Sequence, residues 1–261
     1  MTQEWNVVVC IKQVPDADDV SIDPETGTLN RADAAAVLNK PDANAIEAAL
    51  EIKDGVGAKL TAVTMGPPNA TAVLERAVGM GCDDGVLISD RAFAGSDTWP
   101  TSLTLARAAE KLDADVVICG EESTDSSTGQ VPPGIAAHNG WGQLTYAEEL
   151  EPRPEDDELV ARRNVEGGHE RVAAQLPVVV AMEFGVNRPR TARLHRKIYA
   201  ETEFEAEEWS AADLGIEDEV GLQVSPTQVG GMDTADRVER KQEVVESVEE
   251  LHEGLVDEGV V

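Results

Sequence analysis

Short apolar runs alternate with stretches of helical periodicity through the first half of the chain, and no other feature limits the fold as much. Residues 6–11, 59–65, 85–89 and 116–119 are continuous enough in apolar side chains to be strands covered on both faces. Between them, residues 42–53, 70–80 and 98–112 have the spacing of amphipathic helices. In the first of these, Ala45, Ile46, Ala49, Leu50 and Ile52 share one side and Pro41 stands near the first turn; Ser96 or Asp97 caps the third. Strand and helix recur in units of roughly 30 residues, which calls for a parallel sheet with right-handed crossovers. The predicted class is α/β, a doubly wound parallel sheet with helices on both faces. Ligands in such sheets lie beyond the carboxyl ends of strands where the strand order reverses. The segments after strands one and four, residues 12–16 and 120–130, would then face each other across one crevice.

The remainder changes character. Residues 20–22 and 28–29 flank a turn-like 23–27 and read as a small hairpin. Residues 159–165 and 171–174 flank Glu166-Gly-Gly-His169, a larger hairpin with glycines at its turn, and residues 177–182 add a strand. Beyond Ala200, 61 residues hold 19 acids and 3 basic residues. The expected division is an α/β nucleotide-binding domain over 1–200 and an acidic C-terminal arm over 201–261. The arm ends in an amphipathic helix, 234–255, with Val238, Val245, Val248, Leu251 and Leu255 on one stripe, expected to dock on a partner subunit.

Charge excludes whole classes of function. The 261 residues carry 51 Asp and Glu against 21 Lys and Arg, a formal net charge of −30, and only 7 of the basic residues are Lys. Such a field repels nucleic acid and anionic lipid. Acids spread along the whole chain suggest adaptation to concentrated salt, where screening acts within roughly 3 Å. No segment reads as a signal peptide, and no apolar run approaches the about 18 residues of a membrane span, so a cytoplasmic chain without direct membrane insertion is expected. Cys10, Cys82 and Cys119 lie in or beside apolar runs as buried thiols, and the four histidines form no metal-ligand pair.

The loop after strand four, Glu121-Glu-Ser-Thr-Asp-Ser-Ser-Thr-Gly-Gln130, reads as a nucleotide seat. Gly120 lacks the Cβ that would hold a ligand off the backbone. Ser126, Ser127 and Thr128 would offer hydroxyls and free N–H groups at a helix start, where the dipole favours phosphate. The same residues also make an ordinary N-cap, and the loop alone leaves both readings open. None of these hydroxyls has a recognisable His partner, which argues against a serine hydrolase.

With these pieces in place the chain resembles the β subunits of electron transfer flavoproteins. The most specific match is Ala161-Arg-Arg-Asn-Val-Glu-Gly-Gly-His-Glu-Arg-Val172 followed by Pro177-Val-Val-Val-Ala181. Others are Cys10-Ile-Lys-Gln-Val-Pro-Asp16, the segment from Leu38 to Leu50, Met80-Gly-Cys-Asp83, Ala94-Gly-Ser-Asp-Thr98, Thr128-Gly-Gln130 and Asn187-Arg-Pro-Arg190. The resemblance, closest in its acidity to haloarchaeal members, implies an electron carrier without catalytic residues of its own. It implies a heterodimer with an α subunit that holds most of an FAD. Electrons would come from acyl-CoA or other dehydrogenases and pass to a membrane quinone oxidoreductase. In the β subunit it implies a second nucleotide, held by Cys10, by Asn39, Lys40, Pro41 and Asp42, by Met65, and by Gly120, Glu121, Glu122, Ser123, Thr124, Asp125, Ser126, Ser127 and Thr128. The loop before Thr-Gly-Gln is shorter than in members that bind AMP, Ala17 stands where they often carry an aromatic residue, and Pro132-Pro133 departs from the Gly-Pro of Fix-type and bifurcating members. The β-site ligand is therefore open between AMP and the second FAD of Fix-type or bifurcating members. The resemblance also implies that Val186, Asn187 and Arg190 dock the dehydrogenase. A stand-alone ATP-binding module of the stress-protein type and a subunit with an empty crevice are the competing readings.

Overall fold

The computed structural model describes residues 4–16, 21–22, 29–30, 36–228, 245 and 247–259. Its elements in chain order are β1 (Trp5–Cys10), β2 (Gln13–Pro15), β3 (Ser21–Ile22), β4 (Leu29–Asn30), β5 (Ala36–Leu38), α1 (Lys40–Val56), β6 (Ala58–Met65), α2 (Thr71–Met80), β7 (Asp84–Ile88), α3 (Thr98–Lys111), β8 (Val116–Gly120), α4 (Val131–Asn139), β9 (Gly142–Arg153), β10 (Glu158–Val165), β11 (Gly168–Gln175), β12 (Val178–Met182), α5 (Leu194–Thr202), β13 (Glu207–Trp209), α6 (Ala211–Leu214) and α7 (Val248–Asp257).

Nine strands form one sheet in the order β11-β10-β9-β12-β8-β1-β6-β7-β13. From β9 through β13 every neighbouring pair is parallel, while β10 runs antiparallel to both of its neighbours. The doubly wound class is as expected. The physical reason is visible along β1, where Val7 and Val9 enter one core and Val8 and Cys10 the other. The first core takes Ile46 and Leu50 of α1 and Leu74 and Val78 of α2; the second takes Leu103 and Ala106 of α3 and Ile135 of α4. Burial of each large aliphatic side chain stabilises the fold by about 1.5–3 kcal/mol.

β1 lies between β6 and β8, in register Val9↔Ala62 and Val9↔Ile118. The chain winds outward from β1 through β6 and β7 on one side and through β8 and β12 on the other, so the strand order reverses between β1 and β8. Strands β3 and β4 pair antiparallel as the small hairpin expected, and its turn lies outside the described residues.

The chain divides into two compact units, Met1–Gln228 and Val229–Val261. The expected boundary after residue 200 falls inside the first unit. β13 pairs with β7, and Trp209, Ala211, Ile216 and Val220 enter the second core. Arg196 of α5 also donates from Nε to the Val78 carbonyl at 3.1 Å and from a terminal nitrogen to the Cys82 carbonyl at 2.7 Å, closing the end of α2. In the second unit, α7 is capped by Ser247, whose hydroxyl accepts the Glu250 N–H at 3.1 Å. The expected helix over 234–255 thus covers α7 in part, and residues 234–244 lie outside the described residues.

Candidate functional site

Cys10, Met65 and Gly120 end three adjacent strands, β1, β6 and β8, and so lie along one edge of the sheet. Onto this edge the start of α1 descends. Asn39 stands at its N-cap position yet caps nothing, because its amide reaches across to the loop after β8. Its Nδ2 donates to the Glu122 carbonyl at 2.9 Å and to Asp42 Oδ1 at 2.9 Å, and its Oδ1 accepts the Thr124 N–H at 3.1 Å. Asp42 Oδ2 accepts the Lys12 N–H at 2.7 Å, and the Asn39 N–H donates to the Lys12 carbonyl at 2.9 Å. The loops after β1 and β8 are therefore tied to each other through the first turn of α1.

Lys12 is the residue that sequence reading passes over. Its ammonium lies 2.7 and 2.8 Å from the two oxygens of Asp125 and 3.3 Å from Ser123 Oγ, which in turn is 2.7 Å from Ser126 Oγ. A cation immediately beyond β1, opposite a loop rich in hydroxyls, was the available signal. Lys40 is exposed and Pro41 is buried at the first turn of α1.

Three expectations need correction. Gly120 does have a reason to lack a side chain, but protein fills the space: a Cβ there would meet Asp42 Oδ1 at 2.5 Å and Pro41 at 2.8 Å. Ser126, Ser127 and Thr128 do not form a helix start, since α4 begins at Val131 and its next two residues, Pro132 and Pro133, have no N–H to offer. Nor are their amides free as a group, because the N–H groups of Ser126 and Ser127 both donate to the Ser123 carbonyl, at 3.3 and 2.7 Å. The loop instead presents its hydroxyls from a turn in which Ser127 has a φ of 46° and Gly129 a φ of 61°.

Burial pushes the Asp42 carboxyl up to about 7, against the opposing effect of the hydrogen bonds from Asn39, Lys12 and Gly120. The thiol of Cys119 is raised by its hydrogen bond with Cys10, its partner in register, and by burial; burial also raises Cys82 to about 12. These cysteines are inert apolar filler rather than nucleophiles.

The segment after β12 packs on the far side of α1. Asn187 and Asn44 exchange side-chain hydrogen bonds at 2.7 to 3.0 Å. Arg190 holds Glu47 through Nε, a terminal nitrogen and its own N–H, and reaches Asp54 at 2.8 Å. The hydrogen bonds to Glu47 raise its pKa further. Val186 is half-buried against the first core. Asn187 and Arg190 thus anchor this segment to α1, whereas Phe184 at 56 % and Leu194 at 74 % exposure are its outward apolar side chains. Arg190→Ala is expected to destabilise the fold by about 2–4 kcal/mol, because Glu47, with its side chain only 9 % exposed, would keep a charge without its partner. Denaturant unfolding measures the loss.

Three strand ends beside the strand-order reversal, with a helix start on one side and a polar loop on the other, place the chain among open α/β proteins, a class whose ligands bind at this carboxyl edge. The electron transfer flavoprotein domain model matches residues 26–214, well over half of the chain. The chain is 42% identical over 225 residues to an electron transfer flavoprotein subunit beta from Clostridium acetobutylicum, covering 86% of each. It is 41% identical over 226 residues to the caffeyl-CoA reductase-Etf complex subunit CarD from Acetobacterium woodii, covering 85% of each. With the protein FixA of Bradyrhizobium diazoefficiens it shares 36% identity over 258 residues, 96% of this chain and 89% of that one. The chain belongs to the electron transfer flavoprotein family and is an electron-transfer subunit of the β type.

Proposed function

We propose that this chain is the smaller half of an αβ electron transfer flavoprotein, with most of the FAD site on its partner and an adenylate in the crevice between β1 and β8. The observation that carries this reading is the tie between Lys12, Asn39, Asp42 and the loop from Glu122 to Asp125, which shapes a polar edge of backbone and hydroxyl groups at the strand-order reversal. Backbone at Cys10 and Met65 would border the adenine, while Ser123, Ser126, Ser127 and Thr128 would meet the phosphate. Glu121 is held away from it, accepting the Phe184 N–H at 3.1 Å. No side chain of the chain is assigned as nucleophile or general base; the flavin carries the redox chemistry and the protein positions it.

AMP is one reading for the crevice, and the sequence favours it no more than the other. The likeness to FixA proteins and to a caffeyl-CoA reductase-Etf subunit supports a second, a further FAD, in a Fix-type or bifurcating arrangement. The acid surplus is adaptation to salt, and no helix among the described residues is long and apolar enough to cross a membrane. The stripe of Val248, Leu251 and Leu255 on α7 docks on the α partner.

Electrons arrive from an acyl-CoA or related dehydrogenase at the segment carrying Val186 and leave for a membrane quinone oxidoreductase. Asn187 and Arg190 serve this contact by fixing the segment's shape, and a small apolar anchor suits a transient interface. Co-purified with its α partner, the protein is expected to show flavin bleaching when mixed with a reduced dehydrogenase. Val186→Ala and Phe184→Ala should slow that bleaching about tenfold with flavin content unchanged. Loss of flavin in either variant, or unchanged rates in both, would contradict the assignment.

A further inference from the structure

We propose that Asp125 is a charge filter for the nucleotide seat, occupying the phosphate position of its own chain and selecting adenylates of low charge. The inference rests on the reading of the crevice as an adenylate site. Lys12 is fixed from its main chain, its N–H on Asp42 and its carbonyl under the Asn39 N–H, so the ammonium extends from a rigid base. Both carboxylate oxygens of Asp125 lie within 2.8 Å of that ammonium, the Ser123 hydroxyl lies 3.3 Å from it, and the Ser126 hydroxyl lies 2.7 Å from that of Ser123. A cation with two hydroxyls is the donor set a phosphate needs. Here a carboxylate already holds it.

Asp125 is an anion at neutral pH. Its partial burial works to raise the pKa, but the hydrogen bonds from Lys12 and Ser123 and the Lys12 charge outweigh it and hold the carboxyl below its ordinary value. The Lys12 and Asp125 side chains are 42% and 32% exposed, so the pair is weak enough for a ligand to open. An entering phosphate must displace the carboxylate from Lys12 and then remain close to it. That repulsion grows with each further phosphate charge, in a chain whose net charge is already −30. An adenosine monophosphate, or the diester pyrophosphate of a dinucleotide, carries about two charges, and ATP about four. The filter therefore separates the first two from the third. It also reverses the usual salt dependence of phosphate binding, because screening weakens the repulsion that dominates here.

Calorimetric titration of the full chain, stripped of bound nucleotide, with AMP, ADP and ATP tests this. The wild type is expected to bind AMP at least tenfold more tightly than ATP, and to bind AMP more tightly as salt rises. In Asp125→Asn the two affinities should fall within about threefold of each other, with AMP itself tightened several-fold. Asp125→Ser provides the same test should the amide disturb the loop, and Lys12→Gln should weaken AMP about tenfold. An AMP preference that survives both Asp125 substitutions overturns the filter and leaves the seat intact. Absence of binding by any adenylate to any form overturns the seat, and the filter with it.

Discussion

Gly120→Ala is expected to lower the melting temperature by about 5–10 °C. The added Cβ would lie 2.5 Å from Asp42 Oδ1 and 2.8 Å from both the carbonyl carbon and the Cβ of Pro41. Pro41 is ring and backbone at a buried first turn, so it cannot swing aside as the end of a long side chain would. Relief requires α1 to lift from the end of β8, and forced overpacking of this kind costs about 1–3 kcal/mol or somewhat more. At about 2–4 °C per kcal/mol for a unit of this size, the loss is easily measured by thermal unfolding. Lifting α1 also separates Asn39 from Glu122 and Thr124, so the variant should lose any crevice nucleotide together with stability. Gly55→Ala, in the last turn of the same helix, meets nothing within 4 Å and is expected to be neutral or to stabilise by up to about 1 kcal/mol. A Gly120→Ala protein that melts within about 1 °C of wild type would show that the helix start is not clamped.

The second large effect is on pH dependence. Asp42 moves from 3.8 to about 7 on folding, chiefly through burial. Between those values the folded chain keeps a proton that the unfolded chain has released. The Asp42 contribution to stability is therefore complete below about pH 4, declines as pH rises, and is gone above about pH 7, with a slope of at most about 1.4 kcal/mol per pH unit. Asp90, Asp97, Asp125 and Asp213, whose folded pKa values are lowered, act with the opposite sign and only near and below pH 4, outside this window. Asp42→Asn should remove this part of the slope, leaving the part of the same sign that comes from Glu51 and Glu121, whose pKa values burial also raises. It should also impose a constant loss, because its amide nitrogen would face the Lys12 N–H that Oδ2 now accepts. Denaturant unfolding of both proteins at several pH values between 4.5 and 7.5 gives the difference. Parallel stability curves would contradict the burial-driven shift.

The central sheet is legible because its strands are buried on both faces. Val116, Val117, Ile118 and Cys119 are apolar at every position, as a covered parallel strand must be. β9 escapes the same reading. Its sequence, GQLTYAEELEPR, buries Leu144 and Ala147 among exposed acids and carries a register shift against β12, near Tyr146 with its φ of 54°. β13 has three residues, and Trp209 is the buried one among them. The acidic composition of residues 201–228 concealed Ile216 and Val220, which bring that segment into the core.

At the site, the facing loops followed from strand order, whereas the reason for Gly120 depended on where α1 would land. The proline pair after Val131 was visible in the sequence as a departure, yet its consequence, a helix start poor in donors, appears only once α4 is placed. Asn187 and Arg190 looked outward by motif and turned inward by geometry, because Asn44 and Glu47 lie one turn apart on the face of α1 they reach.

The most direct measurement is the nucleotide content of the purified αβ complex, released by denaturation and identified by mass. One FAD is expected and, in addition, one adenylate per pair, either AMP or a second FAD, with the adenylate lost in Gly120→Ala. A complex that yields a single FAD and nothing else would contradict this reading.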